Sequence, residues 1–483
     1  MEEEITEVSP LLPGMGATAI GSSTDELVND KNGNKFPQYV AAIAATLGAF
    51  AFGTSLAWTS PISGKNDTYI DELLNGLSKD EKTETWSWIG ALMPLGAASV
   101  ALVIGPLIDK FGRKVTMLSL VIPFSVGWGL LIWPKELYMI YAGRFLLGMA
   151  GGSIAVASPV YTSEIAEKEI RGALGSYFQL MITLGILFVY VLGKCVNAFY
   201  LTVICGVVPL VFGAAFFFVP ETPIYLLTKG NVDQARKSLT FFRGKNYNVE
   251  LELSEMQENV NKSSSEKLSL MECFSTRAAK MGLFIGLALM LFQQFSGVNA
   301  VIFYTDEIFK AAKSELDTSS IIVGAMQFVA TFLSTLMVDK LGRKILLLTS
   351  SSVMCICTLL LGVYFYLDGR GNNVEAIGWL PLASLCLFIV SFSLGYGPIP
   401  WMITGELFRP NAKGLAASII SFFNLILAFL VTKFYAPLSE VVGTAVTFWI
   451  FSGVLLLGTV FVFLIVKETK GKTTEEIQMQ LGG

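Results

Sequence analysis

The chain contains no histidine, and charged residues make up only 15% of it. A soluble chain of this length would carry about 25%. The long apolar runs contain no Asp or Glu at mid-depth. Proton-coupled carriers normally place a titratable group there, and sodium coupling tends to use carboxylates or unwound carbonyls. Their lack favours a passive facilitator. The six cysteines (Cys195, Cys205, Cys273, Cys355, Cys357, Cys386) form no recognisable pair. They are read as apolar packing residues, and no metal site or cofactor is expected. Residues 1–36 hold no apolar signal-peptide core, so the first span is expected to act as the targeting signal. The net charge of −4 gives no basic footprint for nucleic acid.

What is present is hydrophobic. Apolar residues reach 53%, and mean hydropathy is +0.60. The expected partner is the lipid bilayer, and the expected class is an all-α membrane protein. Twelve spans are expected near 37–58, 87–108, 115–133, 138–158, 172–193, 198–219, 278–301, 319–338, 345–366, 378–399, 414–434 and 444–466. The loops after even-numbered spans carry roughly twice as many Lys and Arg as the others, which puts both termini in the cytoplasm. The expected organisation is a cytoplasmic tail (1–36), a six-helix bundle (37–219), a cytoplasmic helical linker (220–277), a second six-helix bundle (278–466) and a short tail (467–483).

Short motifs recur in the same order. Asp109-Lys110-Phe111-Gly112-Arg113-Lys114 is echoed by Asp339-Lys340-Leu341-Gly342-Arg343-Lys344. Glu164 precedes Arg171-Gly172 by seven residues, as Glu406 precedes Lys413-Gly414. Val219-Pro220-Glu221-Thr222 is echoed by Val466-Lys467-Glu468-Thr469. Two similar halves in tandem suggest a transporter that rocks about a central site. Asp109, Arg113, Glu164 and Arg171 fall at inner helix ends of one half, and Asp339, Arg343, Glu406 and Lys413 at those of the other. Paired, they would tie the halves together while the site opens outward; separated, they would permit inward opening.

Neutral amides sit at depth: Gln179, Gln293, Gln294, Asn299, Gln327 and Asn424. An amide both donates and accepts, which suits a sugar hydroxyl. Gln294 and Asn299 would lie about 140° apart on one helix and border one cavity. Gly395-Tyr396-Gly397-Pro398-Ile399-Pro400-Trp401 interrupts the tenth span. The glycines and prolines permit a bend, and Trp401 beside it suits a sugar ring. Arg144 is read as the one basic residue within a span and is expected to face a cavity or partner. In the N-terminal tail, Glu7, Leu11 and Leu12 match an acidic dileucine signal for an endosomal sorting adaptor. Asn66-Asp67-Thr68 is a glycosylation acceptor in an outer loop. The plasma membrane is expected, or an endosomal or lysosomal one.

These residues resemble the sugar porter family of the major facilitator superfamily over nearly the whole chain. The resemblance rests on 109–114, Gly143-Arg144-Phe145, Pro159 to Glu164, Pro220-Glu221-Thr222-Pro223, Gln293 to Asn299, and Gly397 to Trp401. Within it, the chain looks most like insect facilitated trehalose transporters and intracellular-type glucose facilitators. The resemblance implies the major facilitator fold, alternating access, and uniport of trehalose or a hexose. It implies sugar contacts at Gln179, Gln293, Gln294, Asn299 and Trp401, with Tyr304 near the outer gate. Proton-coupled members carry an aspartate in the first span, where this chain has Phe52-Gly53-Thr54-Ser55. Departures are Gln327 for a frequent asparagine, Ser393 for glutamate, Leu425 for tryptophan, Ile224 for arginine and Lys413 for arginine. A proton symporter and a non-transporting sensor are the rival readings.

Overall fold

A computed structural model describes residues 33–63, 69–70, 72–265, 276–312, 318–408, 410–472 and 474–482. No strand occurs among them. With no water in a bilayer core, backbone groups must pair within the segment, and these charge-poor runs do so as helices. Among the described residues, eleven helices are long and apolar enough to span, and the pair Lys79–Ala101 and Ile104–Phe111, bent by 55°, makes the twelfth. The second span is therefore longer and more broken than its apolar stretch suggests. The protein is a multi-pass membrane protein.

The described ends, at 33 and 482, share one face, here the terminal face, because an even number of spans separates them. Within the first half, helices approach backbone to backbone. A Cβ on Gly53 would stand 2.2 Å from the Ile182 carbonyl oxygen, and one on Gly185 2.4 Å from that of Phe50. Gly96 faces Phe145 at 2.1 Å and Gly148 faces Met93 at 1.9 Å in the same sense. Small residues replace the hydrophobic drive that lipid cannot supply. Across the halves, the second span packs on the eleventh and the fifth on the eighth. Advancing each number by six turns one pair into the other, as a pseudo-two-fold requires.

The repeated motif has one physical explanation in both halves. Gly112 (φ 97°) and Gly342 (φ 90°) precede the third and ninth spans in a conformation that disfavours side chains. Glu221 accepts from the Lys114 N–H at 2.9 Å, and Glu468 from those of Arg343 and Lys344 at 3.0 Å. Each carboxylate thus meets the positive end of a helix. A Cβ on Gly112 would lie 2.4 Å from Glu221 Oε2, so glycine also makes room for the acid. Burial pushes the Glu221 carboxyl up, against the pull of backbone N–H groups from Thr222 and Lys114. Burial also raises Glu468, but the N–H groups of Lys470, Arg343, Lys344 and Thr469 outweigh it and hold this carboxyl below its usual value.

Among the described residues the linker holds the helices Pro223–Thr228, Val232–Arg243 and Val249–Ser265. Leu226, Leu227, Ala235, Leu239 and Leu253 make its own small core. Arg243, buried, binds Glu252 at 2.7 Å and the Ile165 carbonyl at 2.8 Å, anchoring the linker under the fourth span. The stretch expected as a plain tail contains a further helix, Thr474–Gly482. Ile477 and Leu481 bury against the bundle, and Gln478 donates to the Leu407 carbonyl.

Candidate functional site

The two halves are joined by hydrogen bonds at the face opposite the termini. Tyr304 leaves helical geometry (φ −120°, ψ 21°), breaking the seventh span there. Tyr190 of the fifth span donates to the Ile302 carbonyl at 3.0 Å, and Thr59 of the first to that of Phe303 at 3.3 Å. The Asp306 N–H donates to Ser60 Oγ at 3.1 Å. Tyr304 is buried in this seam, with its hydroxyl on the Thr432 carbonyl at 3.3 Å. Beside it the second and eleventh spans meet through Thr83 and Glu440 at 2.6 Å. Lys433 donates to Ser87 Oγ at 2.8 Å, lies 3.7 Å from Glu84 Oε1, and sits 4.4 Å from the centre of the Trp88 ring. Lys433 was not singled out from the sequence; its signal was a lone lysine in an apolar span.

Charge at this seam leads to a direct expectation. The double change Glu84→Leu and Ser87→Ala leaves the buried ammonium with neither oxygen partner. Hydrogen bonds to charged groups contribute about 1.5–3 kcal/mol, so seam opening should rise ~10-fold. The measurement is the rate at which an impermeant maleimide labels a cysteine at Ile302 in a cysteine-free background. An unchanged rate would mean that this charge has no part in keeping the seam closed.

At the terminal face the charged motifs pair inside each half. Arg113 meets Glu164 at 2.8 Å and Asp109 at 3.2 Å, and Glu164 also accepts from Thr222. Arg343 meets Glu406 at 3.0 Å. Arg171 donates to the Ala166 carbonyl at 3.3 Å, and Lys413 is exposed, without an ion pair among the described residues. The side chain of Asp339 lies outside the described residues, as do Glu7, Leu11, Leu12 and Asn66. Among the described residues, the ion pairs of Arg113 with Glu164 and Asp109, and of Arg343 with Glu406, each lie within one half.

Arg144 finds its partners in the backbone. Fully buried, it donates to the carbonyls of Ile89 at 2.9 Å and Ser55 at 2.6 Å, and stands over the rings of Trp58 and Phe303. Among the described residues no carboxylate pairs with it.

The amides converge between the two faces. The seventh span stops at Gln294 and restarts at Val298 after Gly297 (φ 86°), so Gln294 and Asn299 do not share one helix as spacing suggested. The break brings them into direct contact: Asn299 Nδ2 donates to Gln294 Oε1. Gln294 Nε2 then donates to Asn424 Oδ1 at 2.9 Å, and Asn424 Nδ2 to Gln293 Oε1 at 2.8 Å. Gln293 Nε2 ends the chain on the carbonyls of Tyr396 (2.7 Å) and Gly397 (3.0 Å). Gln327 is buried, with no side-chain partner among the described residues. Gln179, from the other half, is exposed, and Trp401 is 43% exposed just beyond the break in the tenth span. Asn299, Gln327 and Gln179 therefore keep free donors and acceptors, whereas both N–H groups of Gln293 are used.

A family model described as "Sugar (and other) transporter" matches residues 40–481. The "Facilitated trehalose transporter Tret1" of Polypedilum vanderplanki is 40% identical over 93% of this chain and 88% of its own length. The protein of the same name from Bombyx mori is 38% identical over 92% and 86%. Among solved structures, the "Inward open conformation of the xylose transporter XylE from E. coli" superposes with a TM-score of 0.78 at 23% identity, covering 92% of this chain and 99% of that one.

Proposed function

The chain belongs to the sugar (and other) transporter family, and on that premise we propose that it is a uniporter for trehalose, moving this neutral disaccharide down its gradient by alternating access. The observation that carries the reading is the chain of amides between the seventh, tenth and eleventh spans, with Gln179 and Gln327 offered from neighbouring helices. It holds hydrogen-bonding capacity without charge, which suits a polyol. The choice of trehalose follows the relatives, which are named facilitated trehalose transporters.

Sugar contacts come from Gln179, Gln294, Asn299 and Gln327, with Trp401 against a ring face. Gln293 and Asn424 hold the wall of the site. Tyr304 closes the outer gate, and the terminal face is cytoplasmic, following the Lys and Arg bias. The charge clusters of Arg113 and Arg343 are the inner gate in its open position. Residence is in the plasma membrane, with the acidic dileucine at Glu7, Leu11 and Leu12 as an endosomal sorting signal and Asn66 as a glycosylation site. Coupling to protons finds no support at Arg144, whose partners are carbonyls and rings that do not titrate near neutrality.

The test is uptake of labelled trehalose and labelled glucose into proteoliposomes, with and without a pH gradient. Saturable trehalose entry that stops at the outside concentration is expected under both conditions. Glucose entry alone would replace the substrate, and accumulation driven by the pH gradient would replace the mechanism.

A further inference from the structure

The break in the tenth span has a defect that its own sequence cannot repair. In an α-helix the Tyr396 carbonyl would accept from the N–H of the residue four positions on, which is Pro400 and has none. The backbone instead widens into a π turn over Phe392–Tyr396, closed by Gly397 N–H on the Phe392 carbonyl at 2.7 Å. The turn packs tightly on the ninth span. Ser350 Oγ accepts the Tyr396 N–H at 3.1 Å and donates to the Ser391 carbonyl at 2.7 Å. A Cβ on Gly395 would meet Ser350 Cβ at 2.4 Å. None of this supplies a donor for the Tyr396 oxygen. Gln293 does, at 2.7 Å, and its second N–H takes the next carbonyl at 3.0 Å.

We propose that Gln293 is a positioning residue whose side-chain amide replaces the backbone donor that Pro400 lacks, and so sets the bend of the tenth span. The orientation of the whole amide chain follows. Carbonyls only accept, so the atom of Gln293 facing them is nitrogen. Its oxygen then faces Asn424, which must present nitrogen, and Gln294 and Asn299 are oriented in turn. A sugar hydroxyl arriving at Asn299 or Gln294 therefore meets a fixed donor and acceptor pattern set by the hinge. Conversely, movement of the hinge is felt at the sugar-facing end. This rests on the transport reading for its consequence, but not for its geometry.

The experiment is hydrogen exchange of the backbone amides across Phe392–Gly397 in sugar-free purified protein. Gln293→Met removes both donors while keeping length. Losing one or two buried hydrogen bonds should speed exchange there at least ~10-fold. Gln294→Met, one residue away, should leave it within ~3-fold. Pro400→Ala restores the backbone N–H, and in the Gln293→Met background should bring exchange back to within ~3-fold of the parent. Gln293→Asn, shortened by one methylene, serves if the methionine variant does not fold, with the same increase and the same rescue expected. Unaltered exchange in the Gln293 variants would overturn the proposal, as would an increase that Pro400→Ala does not reverse. Because no sugar is present, these outcomes stand even if neither trehalose nor glucose is a substrate; that failure would show in the uptake assay alone.

Discussion

Asn299→Leu is expected to lower kcat/KM for sugar entry by about 100-fold with the protein still folded. Asn299 is the open end of the amide chain. Its carbonyl and one N–H are uncommitted, and its other N–H holds Gln294. Leucine fills a similar volume but leaves a sugar hydroxyl without its partner. Each polar group left unpaired there costs about 1–3 kcal/mol, and two such losses reach the stated factor. Asn299→Asp keeps the acceptor oxygen but sets a charged acceptor against Gln294 Oε1 where the donor stood, so it should fall at least as far as leucine. Initial rates in proteoliposomes, normalised to monodisperse protein, measure the effect. Entry at the parental rate in Asn299→Leu would remove this residue from the sugar path.

The second large effect is on assembly. Gly148→Val should cost at least about 3 kcal/mol and sharply reduce the yield of folded protein. The Cβ would come within 1.9 Å of the Met93 carbonyl oxygen and 2.9 Å of its Cα, so the obstacle is backbone and cannot rotate away. The second and fourth spans would have to separate, losing contact along their length. Pro94 and Arg144 lie on the same two helices, so the buried guanidinium would be displaced from its carbonyls as well. Gly129→Ala is the matched control, since nothing lies within 4 Å of its Cβ position. It should be neutral or slightly stabilising. Detergent-solubilised melting curves separate the two; equal melting of both variants would mean that the close approach carries no stability.

Much of the architecture was legible in the sequence because the bilayer allows few alternatives. Spans of apolar residues had to be helices, and repeated motifs had to mark equivalent turns in two halves. Gly112 and Gly342 could be recognised as a pair, and so could Glu221 and Glu468, although not the contact between the two pairs that explains both. The amides of the site could be enumerated by chemical type. Their partners could not, because Asn424 reaches Gln293 from a helix more than a hundred residues away. The inner charges illustrate the same limit. Composition and position announced an electrostatic device, but spacing along the chain cannot say whether Arg113 turns to its own half or the other. Lys433 and the helix Thr474–Gly482 were passed over for a related reason: a single lysine and a polar stretch with a few apolar residues gain meaning only from what they pack against.

The sequence by itself determined the solvent this protein folds in, its all-helical twofold plan and the uncharged, hydrogen-bonding character of its interior, because these depend on residue type summed along the chain. Tertiary structure alone decided which face is closed, which amides are spent on one another and which remain for a ligand. Those outcomes depend on distances of a few ångströms between helices that are remote in sequence, where a proline's missing N–H in one span is answered by a glutamine in another.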